Sequence, residues 1–445
     1  MFEWHARAGA LERLTPPWSR VRVIARSGRP LEAGTRVILR VPIGPFGMRW
    51  VAEHGPCVPG RSFSDRQIAG PFAAWEHEHR FEPLAAGEST LVDEVRYALP
   101  GGWCSMPARP LARRELDRLF TYRQRVTAVD MGWHRRYGGR PMKVAVTGAT
   151  GLIGSALVPF LRSGGHEAVV LRRAPAGRAA ADGDSSWDPD TGALSAGALD
   201  GVDAVVHLAG ENIAGGRWTA ARKARIRDSR VDGTRRLAEA LAALPRSPRT
   251  LVAASAVGFY GDRGDENLDE SSAPGGGFLP DVCQAWEDAA APAGEAGLRV
   301  VHLRIGIVMT PAGGALAQML FPFRMGVGGV IGSGRQYMSW VALDDVLGGI
   351  LHALCTDGLS GAVNMVAPNP VSNAEFTKTL GRVLRRPTII PLPAFGARLA
   401  FGEMADALLL ASSRVHPARL RDGGFAFGYP KLEDALRHVL GRPKS

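Results

Sequence analysis

Short runs in which apolar and polar residues alternate fill the first hundred or so positions: "RVRVIA" (20–25), "GTRVILRVPI" (34–43), "MRWVAEH" (48–54), "RSFSDRQIA" (61–69), "AAWEHEHRFEPL" (73–84) and "TLVDEVRYAL" (90–99). A period of two predicts strands with one face on a core, and six in succession predict an antiparallel sheet. A long helical stretch, about 110–135, closes this region. Such a sheet gripped on one long helix encloses an apolar cup. After "RRYGGRPMKVAV" (135–146) the rhythm changes. Continuous apolar strands now alternate with helical stretches, as in a parallel sheet covered on both faces. The Gly-Gly-Arg-Pro segment between the two styles marks a boundary. The expected fold class is α/β: a Rossmann-type doubly wound parallel sheet with a small C-terminal α-rich domain, preceded by an α+β helix-grip domain. The expected limits are 1–137 for the helix-grip domain, 138–141 for a linker, 142–387 for the Rossmann domain and 388–445 for the C-terminal domain, which is expected to close the substrate pocket.

A chain of 445 residues exceeds one compact core. No apolar run reaches the roughly 18 residues of a membrane span, and "MFEWHARAGALERL" lacks the layout of a secretion signal. The four cysteines have no paired spacing and read as free thiols of a reducing compartment, so a cytoplasmic location is expected. The net charge of +11 is concentrated in residues 1–141, where 22 arginines face 14 acids. Because these charges are interleaved rather than blocked, neither a nucleic-acid nor a membrane partner is expected. The pattern leaves oligomeric state open.

In "WEHEHRF" (75–81) a strand would place Trp75, His77, His79 and Phe81 on one face. Two histidines at i and i+2 can ligate a metal, but the neighbouring sequence offers no third ligand. They are read as polar groups on an apolar wall, and no metal is expected.

The second region opens with "MKVAVTGATGLIGSALVPFLRSGGHEAVVLRR" (142–173). A strand runs into Gly148-x-x-Gly151-x-x-Gly154, then a helix and a second strand follow. In that frame the glycines signal a dinucleotide cradle. Gly148 makes the tight turn, Gly151 admits the pyrophosphate and Gly154 lets the helix pack. Thr150, Leu152 and Ile153 belong to the same cradle. The second strand ends in Arg172 and Arg173, with Arg178 nearby, where an NAD-binding chain keeps a carboxylate. Paired guanidiniums suit a 2′-phosphate, so NADP(H) is the expected cofactor.

Further motifs carry a resemblance: "DAVVHLAGENI" (203–213), "RWTAARKARIRDSRVDGT" (217–234), "LVAASAVGFYGDRGDENLDE" (251–270), "RVVHLRIGIVM" (299–309), "FPFRMGVGGVIGSGRQYMSWVALDDV" (321–346), "GAVNMVAPNPVSNAEF" (361–376) and "LLASSRVHPARLRDGGFAFGYP" (409–430). Residues 142–445 thereby resemble atypical extended short-chain dehydrogenase/reductases of the NAD-dependent epimerase/dehydratase superfamily, in the epimerase-like branch with its own C-terminal domain of unknown function. "LTPPW" (14–18) and "GPFAAWEHEHRFEP" (70–83) make the first region similar to the polyketide cyclase/START-like (SRPBCC) superfamily, whose cups bind hydrophobic ligands. Members of that superfamily open with a strand before the first helix. This sequence starts within the helix, so either the natural start lies upstream or the cup lacks an edge strand.

The resemblance implies cofactor contacts at Leu208, Ala209, Gly210, Arg230, Arg304 and Gly306, and a substrate pocket faced by Gln336 and Trp340. Asp344 and Asp345 are read as helix caps. Standard members use a tyrosine, a lysine four residues later and a serine. Here Leu279, Cys283 and Ala256 fall at those positions, and no Tyr-x-x-x-Lys occurs between 255 and 300. The neighbouring substitutes are Tyr260, Ser255, Cys283, Glu270 and Asp281, with Tyr260 and Ser255 the first choices for catalysis and Cys283 read as an inert thiol. Two functions follow. One is an NADP(H)-dependent oxidoreductase acting on a hydrophobic small molecule that the cup holds or delivers. The other is a non-catalytic NADP(H)-sensing or ligand-binding regulator.

Overall fold

In the computed structural model the described residues are 1–44, 46–85, 87–173 and 185–442; Arg178 lies outside them. They form two compact units, Met1–Arg136 with Pro159–Gly165, and Tyr137–Val158 with His166–Arg442.

The first unit is a six-stranded antiparallel meander in chain order: Arg22–Arg26, Arg36–Ile43, Phe46–Val58, Ser62–Ala69, Ala74–Pro83 and Ser89–Ala98. All six strands stand where the alternating pattern places them. The third is longer than its pattern, because register shifts near Val51 and between His54 and Cys57 interrupt the alternation without ending the pairing. Along Ala74–Pro83, Trp75, His77, His79 and Phe81 are buried, as the period of two requires. The helix Arg109–Arg136 buries Tyr122, Val126, Asp130 and Trp133, one stripe at helical spacing. Asp130 is fully buried and accepts two bonds, 2.7 and 2.8 Å, from the Arg13 guanidinium. The first element is the short helix Phe2–Ala6.

The second unit is built on a seven-stranded sheet whose neighbours all run parallel, in the order Gly361–Met365, Arg299–Ile305, Thr250–Ala256, Ala204–His207, Lys143–Thr147, Glu167–Arg173, Ser186–Trp187. Chain order reverses between Lys143–Thr147 and Ala204–His207, and the crevice at such a switch point is where ligands bind in this architecture. The central strands are buried on both faces (Val144, Val146, Val205, Val206, Leu251 and Val252), which is why they read as continuous apolar runs. Residues on both sides of position 388 share one core: Trp340, Phe376 and Leu380 pack with Leu432, Leu436 and Val439 of the last helix, Leu432–Val439. The C-terminal helices thus complete the second unit rather than forming a core of their own. No helix among the described residues is long and apolar enough to cross a membrane.

Candidate functional site

At the switch point the chain leaves Lys143–Thr147 through Gly148, whose φ of +67° is left-handed. Space constrains this residue as well. A Cβ there would lie 2.7 Å from the Leu208 carbonyl and 2.8 Å from the Ala209 nitrogen. The ends of two adjacent strands therefore touch backbone to backbone. At Gly154 a Cβ would lie 2.3 Å from the Gly148 oxygen, so the helix Gly154–Ser163 starts against the turn it follows. Gly151 donates to the Gly148 carbonyl at 2.9 Å and is exposed beside Thr150. Leu152 packs on Gly313 and Gly314, and Ile153 is half-buried. The result is an exposed turn at a helix start, the arrangement that receives a phosphate.

Beneath the cradle runs a chain of buried polar groups that the residue spacing does not reveal. Thr147 Oγ1 is 2.7 Å from His207 Nδ1, His207 Nε2 is 3.1 Å from Thr234 Oγ1, and Trp286 Nε1 donates to that same hydroxyl at 2.9 Å. Burial lowers the His207 pKa from 6.5 to about 4, so the ring is neutral. A histidine depressed in this way takes up its proton more readily when unfolded. Its contribution is present above about pH 6.5 and is lost as pH falls toward 4. Chemical unfolding at about pH 4.5 should find this contribution diminished by about 2–3 kcal/mol relative to pH 7.5. His207→Asn should show a correspondingly smaller pH dependence, and an equal dependence in variant and wild type would refute the assignment.

Arg172 and Arg173 end the second strand and are exposed. Arg173 makes a 2.8 Å pair with Asp190 in which both side chains are more than two-thirds exposed. Such a pair is worth little and leaves the guanidinium available to a stronger anion. Leu208, Ala209 and Gly210 follow the strand Ala204–His207. Arg230 lies beside Gly210, stacks 5.0 Å from the Trp286 ring and donates to the Ile226 carbonyl. Gly306 sits where a Cβ would meet the Ser339 carbonyl at 2.6 Å.

The helix Phe278–Asp288 occupies the place of the usual tyrosine–lysine pair. Its residues at i, i+4 and i+8 are Leu279, Cys283 and Glu287. Burial first, and then the Glu287 charge, push the Cys283 thiol up to about 12, which suits an inert thiol. Glu287 does what the sequence reading missed. It accepts a bidentate pair from Arg304, with Nε–Oε1 and Nη2–Oε2 both 2.8 Å, and the Ser255 hydroxyl donates to its Oε1 at 2.6 Å. Arg304 lies 3.4 Å over the Phe259 ring and donates to Tyr260 Oη at 3.0 Å. The spacing of Glu287 from Cys283 was the only available signal for this network.

The structure brings Ser255, Tyr260 and Arg304 together, but in a closed arrangement. Tyr260 is fully buried, and its hydroxyl lies 2.7 Å from Asn364 Oδ1 and 2.9 Å from the Asp269 carbonyl. Burial raises its pKa, although Arg304 opposes the shift. Its position is that of a core hydroxyl rather than of an exposed proton donor. Glu270 accepts from the Asn364 and Arg419 amides, while Asp281 is exposed in the first turn of its helix.

Gln336 and Trp340 are both buried and hydrogen-bonded to backbone carbonyls. Gln336 Nε2 bonds the Ile331 and Leu409 carbonyls. Trp340 is fully buried and donates to the Asn369 carbonyl, because its short strand pairs with Ile307–Met309 inside the core. Asp344 and Asp345 are not caps. Asp344 pairs with His438 Nε2 at 2.8 Å, while Asp345 accepts from the Gly428 and Tyr429 amides. Burial pushes the Asp345 carboxyl up to about 7.

Comparison with known proteins identifies relatives of both units. Residues 144–365 match the NAD dependent epimerase/dehydratase family, 1–121 match polyketide cyclase / dehydrase and lipid transport, and 392–439 match a domain of unknown function. An epimerase family protein of Mycobacterium tuberculosis is 44% identical over 301 residues, covering 67% of this chain and 98% of the relative. The chain belongs to the epimerase family. Human SDR39U1 of that family is 37% identical over 303 residues, 67% of this chain and 100% of the relative. Its isoform 2 has a solved structure with NADPH (TM-score 0.62, 36% identity, 67% and 99% covered). The nucleoside-diphosphate sugar epimerase from Corynebacterium glutamicum is similar over 99% of this chain and 87% of its own (TM-score 0.79, 36% identity).

Proposed function

We propose that the second unit binds NADP(H) and uses it to reduce or oxidise a hydrophobic small molecule without a tyrosine–lysine pair. The observation that carries this reading is the Gly148–Gly154 turn, exposed at Thr150 and Gly151, set beside the exposed Arg172 and Arg173. The relative solved with NADPH supports it. In this reading the amides of 148–154 hold the pyrophosphate, Arg172 and Arg173 hold the 2′-phosphate, and Leu208, Ala209 and Gly210 border the adenosine. Arg230 beside Gly210 and Gly306 near the Arg304 strand end complete the wall. A bound NADPH supplies a hydride. Arg304, charge-compensated by Glu287 and stacked on Phe259, is a buried positioning residue that fixes the ends of its strand and of Thr250–Ala256 beside the site.

Arg172→Ala/Arg173→Ala should reduce NADPH affinity by at least about tenfold, since charge-assisted bonds are lost, while NADH affinity stays the same. Titrations with both cofactors check this, and an unchanged NADPH/NADH ratio would overturn the assignment. Single-turnover oxidation of bound NADPH against a panel of hydrophobic ketones, aldehydes and enones tests the chemistry, with loss of absorbance at 340 nm as the expected result. A second reading, an NADP(H)-dependent regulator, is favoured by Leu279, by the inert Cys283 and by the buried Tyr260. No oxidation with any compound in the panel, together with tight NADPH binding, would select it.

A further inference from the structure

The inward face of the first unit's sheet holds four acid and imidazole groups that the cofactor reading does not use. Asp65 on Ser62–Ala69 stands directly opposite His77 on Ala74–Pro83, and His79 stands opposite Asp93 on Ser89–Ala98. Donor atoms of Asp65, His77 and His79 all lie within 4.8 Å of one another. Both histidines are buried. We infer that Asp65, His77 and His79 form a binding site for one divalent transition-metal ion, with Zn²⁺ the best fit and Asp93 orienting the imidazoles.

Three observations support the site. First, His77 Nδ1 lies 3.3 Å from Asp65 Oδ1. Ligands at about 2.0–2.1 Å on a tetrahedral centre stand roughly 3.3–3.4 Å apart, so this pair already spans a tetrahedral edge. Second, the other ring nitrogen, His77 Nε2, lies 3.3 Å from Asp93 Oδ1. A carboxylate behind a ligating histidine fixes its tautomer and orientation. Third, His79 Nδ1 is 2.6 Å from Asp93 Oδ1, so the same carboxylate also holds and orients the second imidazole.

Charge and softness agree. From the helix Arg109–Arg136, Arg123 acts on Asp65 and Asp93, and Phe120 lies edge-on to the His77 ring at 5.3 Å. From the first helix, the His5 ring lies 6.0 Å from that of His79. One guanidinium against two carboxylates leaves a negative charge that a divalent cation can neutralise. Two imidazoles and a carboxylate suit zinc better than magnesium or calcium.

The test uses the full-length chain without an affinity tag, stripped with chelator, then titrated with Zn²⁺ by calorimetry and with Co²⁺ by absorption. One equivalent per chain is expected, with tetrahedral cobalt bands in the visible region. Asp93→Asn should lower zinc affinity by about 10–100-fold, and His77→Gln/His79→Gln should abolish stoichiometric binding. Circular dichroism of each variant reports its fold, and the wild-type cobalt spectrum decides even where a variant fails to fold. No uptake by folded wild-type protein, octahedral cobalt bands, or zinc binding unchanged in a folded double variant would overturn the inference.

Discussion

Glu287→Leu is expected to cost about 3–5 kcal/mol of stability, the largest single loss in the second unit outside its apolar core. The reason is desolvation. Arg304 and Glu287 are 6% and 12% exposed and share a bidentate bond. Removing the carboxylate strands a guanidinium that water cannot reach, and a buried charge without its partner is far costlier than the pair is favourable. Ser255 loses its acceptor in the same step. The double variant Glu287→Leu/Arg304→Leu should recover most of the loss, because two apolar side chains of similar volume leave no stranded charge. Urea unfolding of the two single variants and the double closes the cycle. Additive losses in the double variant would show that the pair is not the coupled unit described.

Gly148→Ala is the second large effect, and it separates the cradle from ordinary packing. A non-glycine residue at φ +67° costs about 1–3 kcal/mol. The added Cβ would also press on the Leu208 and Ala209 backbone at 2.7–2.8 Å, where no side chain can rotate away. The strand end must shift, and the exposed amides of the turn shift with it. We expect destabilisation of at least about 2 kcal/mol and NADPH affinity reduced by at least about 100-fold, against a much smaller effect for Gly151→Ala on stability. At Gly151 a Cβ would meet only the Gly148 oxygen, at 3.1 Å. Thermal melts with and without NADPH measure both, and full retention of binding in Gly148→Ala would contradict the role given to the turn.

How legible these features are depends on the range of the interactions behind them. The six strands of the first unit show in the sequence because half-buried strands must alternate, and the glycine turn shows because each glycine answers a constraint within a few residues. The Arg304–Glu287 pair does not, since it joins a strand to a helix and its partners carry no periodic mark. Asp65 and Asp93 are hidden for the same reason: three strands must first pair in register before His77 and His79 meet them. The bonds of Gln336, Asp344 and Asp345 are hidden as well, because the C-terminal segment folds into the same core and supplies their partners Leu409, His438, Gly428 and Tyr429. Tyr260 illustrates the converse. Its place beyond a strand end suits chemistry, but the Asn364 and Asp269 acceptors and complete burial assign it to the core.

Titrating the intact protein with NADPH and with NADH in a calorimeter addresses the cofactor assignment without any mutation. The account predicts saturable heat at one site per chain for NADPH, and binding to NADH weaker by at least about tenfold. Equal affinities, or no heat from NADPH at millimolar concentration, would contradict it.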